Sequence, residues 1–179
     1  MDENSSYHAD HFALFHLTPA FAIDLADLEH RYREVQSQMH PDRFADAPEA
    51  DRRRSLQWAT RANEAFQALR KPLSRAQYLL HLAGHDLQAE NNTAMDPEFL
   101  MEQMEWREAV QEARQAGEAD KLEDLHQRLR HTISERHGEL AKLFDEQHDI
   151  EGAAELTRRL MFLDRLLHEI DDALHALDE

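Results

Sequence analysis

The chain has 179 residues, of which 41% are hydrophobic and 32% charged, a balance typical of a soluble protein with one or two domains. Cysteine is absent, which excludes disulfides, thiol catalysis and thiolate metal sites. The net charge of −17 argues against general nucleic-acid binding. No apolar run approaches the length of a membrane span, so we expect no membrane binding either.

Helical periodicity dominates the first half of the chain, and no stretch alternates with period two over a strand's length. A short helix is predicted over residues 11–17, before Pro19. A second helix opens at Asp24 and ends near His40, because a residue before proline is pushed out of the helical region. Its predicted apolar face consists of Leu25, Leu28, Tyr32, Val35 and Met39.

A third helix is predicted from Pro48-Glu49 to about Arg70, where Pro72 follows. Its apolar stripe consists of Trp58, Ala59, Ala62, Phe66 and Leu69. A fourth, shorter helix ends at Gly84, a residue suited to the position after a helix end. Residues 85–95 then lose periodicity and are interpreted as a linker.

Asp96-Pro97-Glu98 combines a cap, a first-turn proline and a favourable charge, and so predicts another helix start. Three long helices follow, over residues 97–115, 118–147 and 151–178, with Gly117 and Gly152 at the breaks. Short connections predict antiparallel neighbours and therefore a three-helix bundle. The last helix carries apolar residues at a spacing like that of a coiled coil, and we interpret them as bundle core: Leu156, Leu160, Leu163, Leu167, Ile170, Leu174 and Leu177.

Charge is distributed unevenly along the chain. Residues 31–75 hold ten basic and six acidic side chains, a net charge of +4, which leaves −21 for the remainder. A basic region on an acidic protein indicates an acidic partner, although ordinary helix solubility fits the charge pattern equally well.

The sequence contains no convincing pattern of catalytic or metal-binding residues. His81 and His85 are four apart, but Gly84 and the missing glutamate spoil a metalloprotease pattern. The spacing of His126, His131 and His137 scatters them around a helix. We find no nucleophile with a base and an orienting group, and no phosphate-binding glycine loop. The sequence therefore predicts no enzyme, no metal site and no cofactor.

His40-Pro41-Asp42 joins the second and third helices. Taken alone, the tripeptide fits an ordinary turn. Its context resembles a J-domain, the ATPase-stimulating module of J-type co-chaperones, over residues 9–83. The resemblance rests on the tripeptide, on the run from Asn63 to Leu69, and on Lys71 to Ala76 with Tyr78. It implies contact with a DnaK-class chaperone ATPase through His40, Pro41 and Asp42, supported by Arg31, Arg33 and Arg43.

The second half resembles the HscB family, the J-type co-chaperones of iron–sulfur cluster assembly, in the run Phe99 to Glu105, in Arg107-Glu108 and in Arg159 to Asp164. The family implies an all-α, L-shaped protein with two modules. The two modules are a J-domain, built on a helical hairpin with short flanking helices over 9–83, and a three-helix bundle over 96–179. A flexible N-terminus over residues 1–8 precedes the first module, and a linker over 84–95 joins the two. It also implies a bacterial cytoplasmic co-chaperone that brings the scaffold protein IscU to the chaperone HscA and stimulates its ATP hydrolysis.

Helical geometry independently predicts a partner face on the bundle. With Phe99, Trp106 and Val110 on the core stripe, neighbouring apolar residues point elsewhere and are flanked by acids. The predicted scaffold-binding residues are Leu100, Met101, Met104, Glu105, Glu108 and Phe162. Packing against the J-domain or linker would explain the same residues. Met161 stands where the family pattern has a basic residue.

Two alternative functions are a general J-type co-chaperone that binds unfolded clients and, more remotely, a metal-binding or enzymatic bundle. The sequence leaves open whether the bundle forms a weak homodimer.

Overall fold

A computed structural model describes residues 10–85, 87 and 96–178. The predicted flexible N-terminus and most of the predicted linker lie outside these residues. The chain divides into two compact units, Met1–Leu82 and Ala83–Glu179. All the regular elements of the described residues are helical. None of these helices is both long and apolar enough to cross a membrane.

The N-terminal unit is a helical hairpin with two short flanking helices. Its α-helices are α1 (His11–Leu14), α2 (Leu25–Met39), α3 (Glu49–Arg70) and α4 (Pro72–Leu82), with a 3-10 turn at Pro41–Phe44. Asp24 caps α2 by accepting from the backbone N–H of Ala26 and of Asp27. The predicted bounds of α2 and α3 are confirmed, because proline and capping residues mark these ends locally.

Two predictions in this unit are wrong. The first helix ends at Leu14 rather than residue 17, and His16 adopts a left-handed φ of 54°. This turn lets Phe15 enter the core completely, so packing overrides the helical pattern. Leu25, predicted on the inner face, is 46% exposed, because it is the first residue of α2.

The core of the N-terminal unit joins α1, α2 and α3. Tyr32 of α2 stacks on Phe66 of α3 with ring centroids 4.2 Å apart. The buried residues around this pair are Phe12, Leu14, Phe15, Leu28, Ala62, Ala65 and Leu69. Three of the seven residues from Asn63 to Leu69 are therefore structural, because Ala65, Phe66 and Leu69 all face this core.

α4 closes the unit through Arg75 and Tyr78. Arg75 is buried, and its guanidinium donates to the carbonyls of Leu69 (2.7 Å) and Phe21 and lies 5.4 Å from the Phe21 ring. The Tyr78 hydroxyl accepts from the His11 backbone N–H, and the His11 ring stacks on Tyr78 at 4.1 Å. Burial, and then the nearby charge of Arg61, lower the pKa of the His11 imidazole.

The C-terminal unit is a three-helix bundle. Its helices are α5 (Pro97–Ala116), α6 (Ala119–Ala141) and α7 (Ile150–Asp178), with a π-helical turn at Lys142–Gln147 after α6. Asp96 caps α5, and Gly117 ends it in the left-handed conformation with φ 67°. Both features confirm predicted helix ends.

The second predicted break lies within a residue of its predicted position, between Gln147 and Ile150, but Gly152 does not make it. His148, not Gly152, takes the left-handed conformation between α6 and α7, with φ 53°. Gly152 lies inside α7, where its backbone N–H donates to the Asp149 carboxylate. A Cβ at position 152 would lie 2.4 Å from Asp149 Oδ2, so glycine makes room for this cap.

The predicted leucine stripe of α7 faces the bundle core, with adjustments. Leu156, Leu160, Leu163 and Ile170 are buried, whereas Leu167 and Leu174 are half-buried and Leu177 is 41% exposed. Leu166 and Ala173 are buried beside the stripe. Because α7 packs against both α5 and α6, its buried face is broader than a coiled-coil seam.

We expect Arg75→Met to lower the free energy of unfolding of the N-terminal unit by about 3 kcal/mol, because two buried carbonyls lose their donor. Urea unfolding of the full chain, followed by circular dichroism, measures this loss. Arg52→Met, at an exposed arginine of α3, is the matched control and should change stability by less than about 0.5 kcal/mol. Equal effects of the two variants would contradict a structural role for Arg75.

Candidate functional site

The His-Pro-Asp corner is built by local backbone chemistry. His40 has extended backbone angles, as expected before proline, and α2 therefore ends at Met39. The 3-10 turn begins at Pro41, and the Asp42 N–H donates to His40 Nδ1 at 3.3 Å. His40 Nδ1 and Asp42 Oδ2 are 3.6 Å apart. The corner is thus an ordered turn with its own internal contacts.

A long-range contact fixes the corner to the hairpin. The buried Ser55 of α3 donates its hydroxyl to the Met39 carbonyl at 2.7 Å, which satisfies an acceptor at the end of α2. The Arg43 guanidinium donates to the Ser37 carbonyl at 2.8 Å across the turn. The Asp42 side chain remains 90% exposed. A carboxylate on a braced turn is well placed to accept two hydrogen bonds from a partner's arginine.

The three predicted supporting arginines have different surroundings. Arg33 and Arg43 are exposed. Arg31 is only one-third exposed; it donates to Asp27 at 2.9 Å and to the carbonyls of Phe15 and His16 at 3.1 Å each. Arg31 therefore braces the turn after α1, a structural role that sequence spacing did not reveal.

A concave surface lies beside the corner. A cavity of about 910 Å³ opens between the end of α2 and the start of α3, and its lining includes Met39, Phe44, Arg54 and Trp58. Sequence reasoning missed it, because Trp58 was assigned only to the core stripe; Trp58 does pack against that core, but it is half-buried and also lines the cavity. The cavity shows that the surface around the corner is apolar as well as basic.

On the bundle, α5 displays the predicted partner face. Leu100, Met101 and Met104 are 43%, 63% and 70% exposed, and Glu105 and Glu108 are exposed next to them. Phe99 and Val110 are buried on the opposite side, as the helical angles predicted.

Phe162 differs from the other predicted scaffold-binding residues, because it is half-buried against the bundle core. Its ring meets Phe99 edge-to-face, with centroids 6.0 Å apart, and the Arg107 guanidinium lies 5.3 Å from its centroid. The expectation that Phe162 lies off the core stripe is therefore only partly right. The contact with Arg107 nevertheless links Phe162 to α5.

Within residues 10–85, 87 and 96–178, no three His, Asp or Glu side chains are grouped so that they could hold a metal ion. His126 pairs with Asp171 at 3.0 Å, an arrangement that joins α6 to α7.

A helical hairpin with an exposed His-Pro-Asp corner, followed by a separate three-helix bundle, defines a J-type co-chaperone. A family model described as the HSCB C-terminal oligomerisation domain matches residues 95–171. The Co-chaperone protein HscB homolog of Azoarcus sp. (strain BH72) is 59% identical over 169 residues, 94% of this chain and 96% of that protein. The chain therefore belongs to the HscB family of co-chaperones.

Solved structures agree with this assignment. Chaperone HscB from Vibrio cholerae has a TM-score of 0.82 and 33% sequence identity, with 94% of this chain and 99% of that chain covered. The human co-chaperone protein HscB has a TM-score of 0.86 and 29% identity, with 92% and 81% covered. The J-domain fold and the C-terminal bundle are thus shared with both proteins.

We expect Arg31→Gln to lower the free energy of unfolding by about 1 kcal/mol, since the carbonyls of Phe15 and His16 lose a charged donor. Arg33→Gln, at an exposed position two residues further on, should change stability by less than about 0.5 kcal/mol. Thermal and urea unfolding of both variants measures the difference. A larger loss for Arg33 than for Arg31 would contradict the bracing role.

Proposed function

We propose that this chain is an adaptor with two separate binding sites that acts in iron–sulfur cluster biogenesis. Its C-terminal bundle binds the scaffold protein IscU, and its J-domain docks on the chaperone HscA and stimulates ATP hydrolysis. In this proposal the chain acts in the bacterial cytoplasm and performs no chemistry itself. Family membership supports the co-chaperone class, and the exposed apolar face of α5 is the observation that carries the scaffold-binding role.

The proposed docking of the J-domain on a chaperone is supported by the geometry and charge around the His-Pro-Asp corner. The Asp42 carboxylate is 90% exposed on a turn braced by Ser55 and Arg43. Exposed Arg33 and Arg43 add positive charge, within a segment of net charge +4. An acidic docking surface with an arginine opposite Asp42 would complement this region.

The proposed binding of a scaffold by the bundle is supported by the composition of the exposed face of α5. Three large apolar side chains on successive turns of α5 remain in water, which costs free energy unless a partner covers them. Methionine side chains adapt to the shape of a partner, and the flanking Glu105 and Glu108 favour a basic rim on it. A compact face of this kind suits one folded scaffold better than many unfolded chains.

Because both binding sites are in one chain, scaffold binding is coupled to chaperone docking. A bound scaffold is held near the chaperone whenever the J-domain is docked, so its effective concentration there rises without any new contact. A general J-type co-chaperone, the alternative function, would dock on a chaperone in the same way and would differ only in what the bundle binds. The family description also names oligomerisation, and weak homodimer formation stays a prediction.

We expect Asp42→Asn to reduce stimulated ATP hydrolysis at least tenfold, because a neutral amide loses the charge-assisted bonds to a partner's arginine. Scaffold affinity should be unchanged. Steady-state ATPase assays with HscA and calorimetry with IscU measure the two properties, and Asp46→Asn, an exposed neighbour, is the control. Loss of ATPase stimulation and of IscU binding together would contradict two separate binding sites.

We expect Leu100→Ala combined with Met104→Ala to weaken IscU binding by about tenfold or more, since two exposed apolar anchors are truncated. Stimulation of HscA in the absence of scaffold should persist. Leu177→Ala, another exposed leucine of the bundle, is the control. If the parent chain bound an unfolded test protein but no folded IscU, the general co-chaperone alternative would replace the scaffold-specific function.

A further inference from the structure

Arg159 of α7 makes three contacts with charged or aromatic groups. Its guanidinium donates to Asp96 at 3.0 Å and to Glu155 at 2.7 Å, and it lies 5.1 Å from the centroid of the Phe99 ring. Asp96 is 63 residues away in sequence, so the contact joins the start of α5 to α7. The Arg159 side chain is 29% exposed, and the site is therefore partly shielded from water.

Asp96 has two functions at this junction. Oδ1 accepts from the Glu98 N–H at 3.1 Å and caps α5, while Oδ2 accepts from Arg159. Burial opposes the charged form of Arg159, but hydrogen bonds to Glu155 and Asp96 outweigh it and raise the pKa of the guanidinium. The cation is thus permanently present at the N-terminal end of α5.

Phe99 connects the Arg159 contacts to the exposed face of α5. Its buried ring lies under Arg159 on one side and meets Phe162 edge-to-face on another. Because successive helix residues are about 100° apart, fixing Phe99 inward directs Leu100 and Met101 outward. First turns of helices fray easily, since their N–H groups lack intrahelical partners. The exposed anchors of the face begin in that turn.

We propose that Arg159 is a positioning residue for the scaffold-binding face. It holds the first turn of α5 through Asp96 and Phe99, so that Leu100, Met101 and Met104 are presented together before the partner arrives. The inference rests on the scaffold-binding function proposed above. It assigns Arg159 an indirect part in affinity, through the order of α5, rather than direct contact with the partner.

Arginine suits this role better than lysine. A planar guanidinium donates to two carboxylates and lies on an aromatic ring at the same time, whereas an ammonium is a compact point charge. Arg159→Lys keeps the charge but loses the planar group that lies over the Phe99 ring. It should therefore restore only part of the affinity that Arg159→Gln loses.

The test compares Arg159→Gln, Asp96→Asn and the double variant in the full chain. Asparagine still caps a helix but no longer pairs with a cation, so Asp96→Asn removes the ionic contact and leaves the cap. We expect Arg159→Gln to weaken IscU binding by roughly fivefold and Asp96→Asn by less, because the contact of Arg159 with Phe99 remains in the latter. The double variant should lose no more than Arg159→Gln, because Asp96 acts through Arg159. Arg165→Gln, an exposed arginine of α7, should bind like the parent.

Hydrogen exchange supplies a readout that does not require the partner. Amides of residues 99–104 should exchange faster in Arg159→Gln, while those of α6 keep the parent's rates. Parental affinity in Arg159→Gln, or additive losses in the double variant, would overturn the proposal. If Arg159→Gln does not fold, Asp96→Asn and Arg159→Lys make the same comparison.

The outcome is separable from that of the proposed function. Failure of Leu100→Ala with Met104→Ala to weaken IscU binding would remove the scaffold-binding face itself. Weakening by that pair, with parental affinity in the Arg159 and Asp96 variants, would remove only the positioning role. Faster exchange in α5 without a loss of affinity would likewise contradict it, since order would then not matter for binding.

Discussion

The steric restriction that Pro41 places on His40 is the constraint on which the N-terminal unit depends. It ends α2 at Met39 and leaves a carbonyl there without an intrahelical donor. Ser55 supplies that donor from α3, and the stacked rings of Tyr32 and Phe66 continue the contact along the hairpin. The turn that displays Asp42 is therefore a product of the same restriction that makes the hairpin.

Basic residues in this unit serve two different ends. Arg31 and Arg75 donate to backbone carbonyls that helices and turns leave unpaired, and they hold α1 and α4 to the hairpin. Arg33 and Arg43 remain exposed near the corner. A positive segment identified by counting charges thus contains both structural cations and exposed cations available to a partner. Burial distinguishes them, since Arg33 and Arg43 also donate to nearby carbonyls but remain exposed.

The bundle separates its core from its partner face within a single helix. α5 buries Phe99, Val110 and Ala113 while it leaves Leu100, Met101 and Met104 in water. Contacts from α7 reach the start of α5 through Arg159 and its middle through Phe162. Stability of the bundle and presentation of the face consequently depend on some of the same side chains.

The sequence by itself determined the helical class, the ends of α2, α3 and α5, and the outward direction of the α5 face, because proline, caps and helical period act over a few residues. Only the tertiary structure decided where local pattern and packing disagree. Phe15 leaves the helix for the core, His148 makes the turn assigned to Gly152, and Phe162 is half-buried. The partners of Arg31 and Arg159 lie up to 63 residues away, and contacts at that separation are set by how helices pack, which no local spacing encodes.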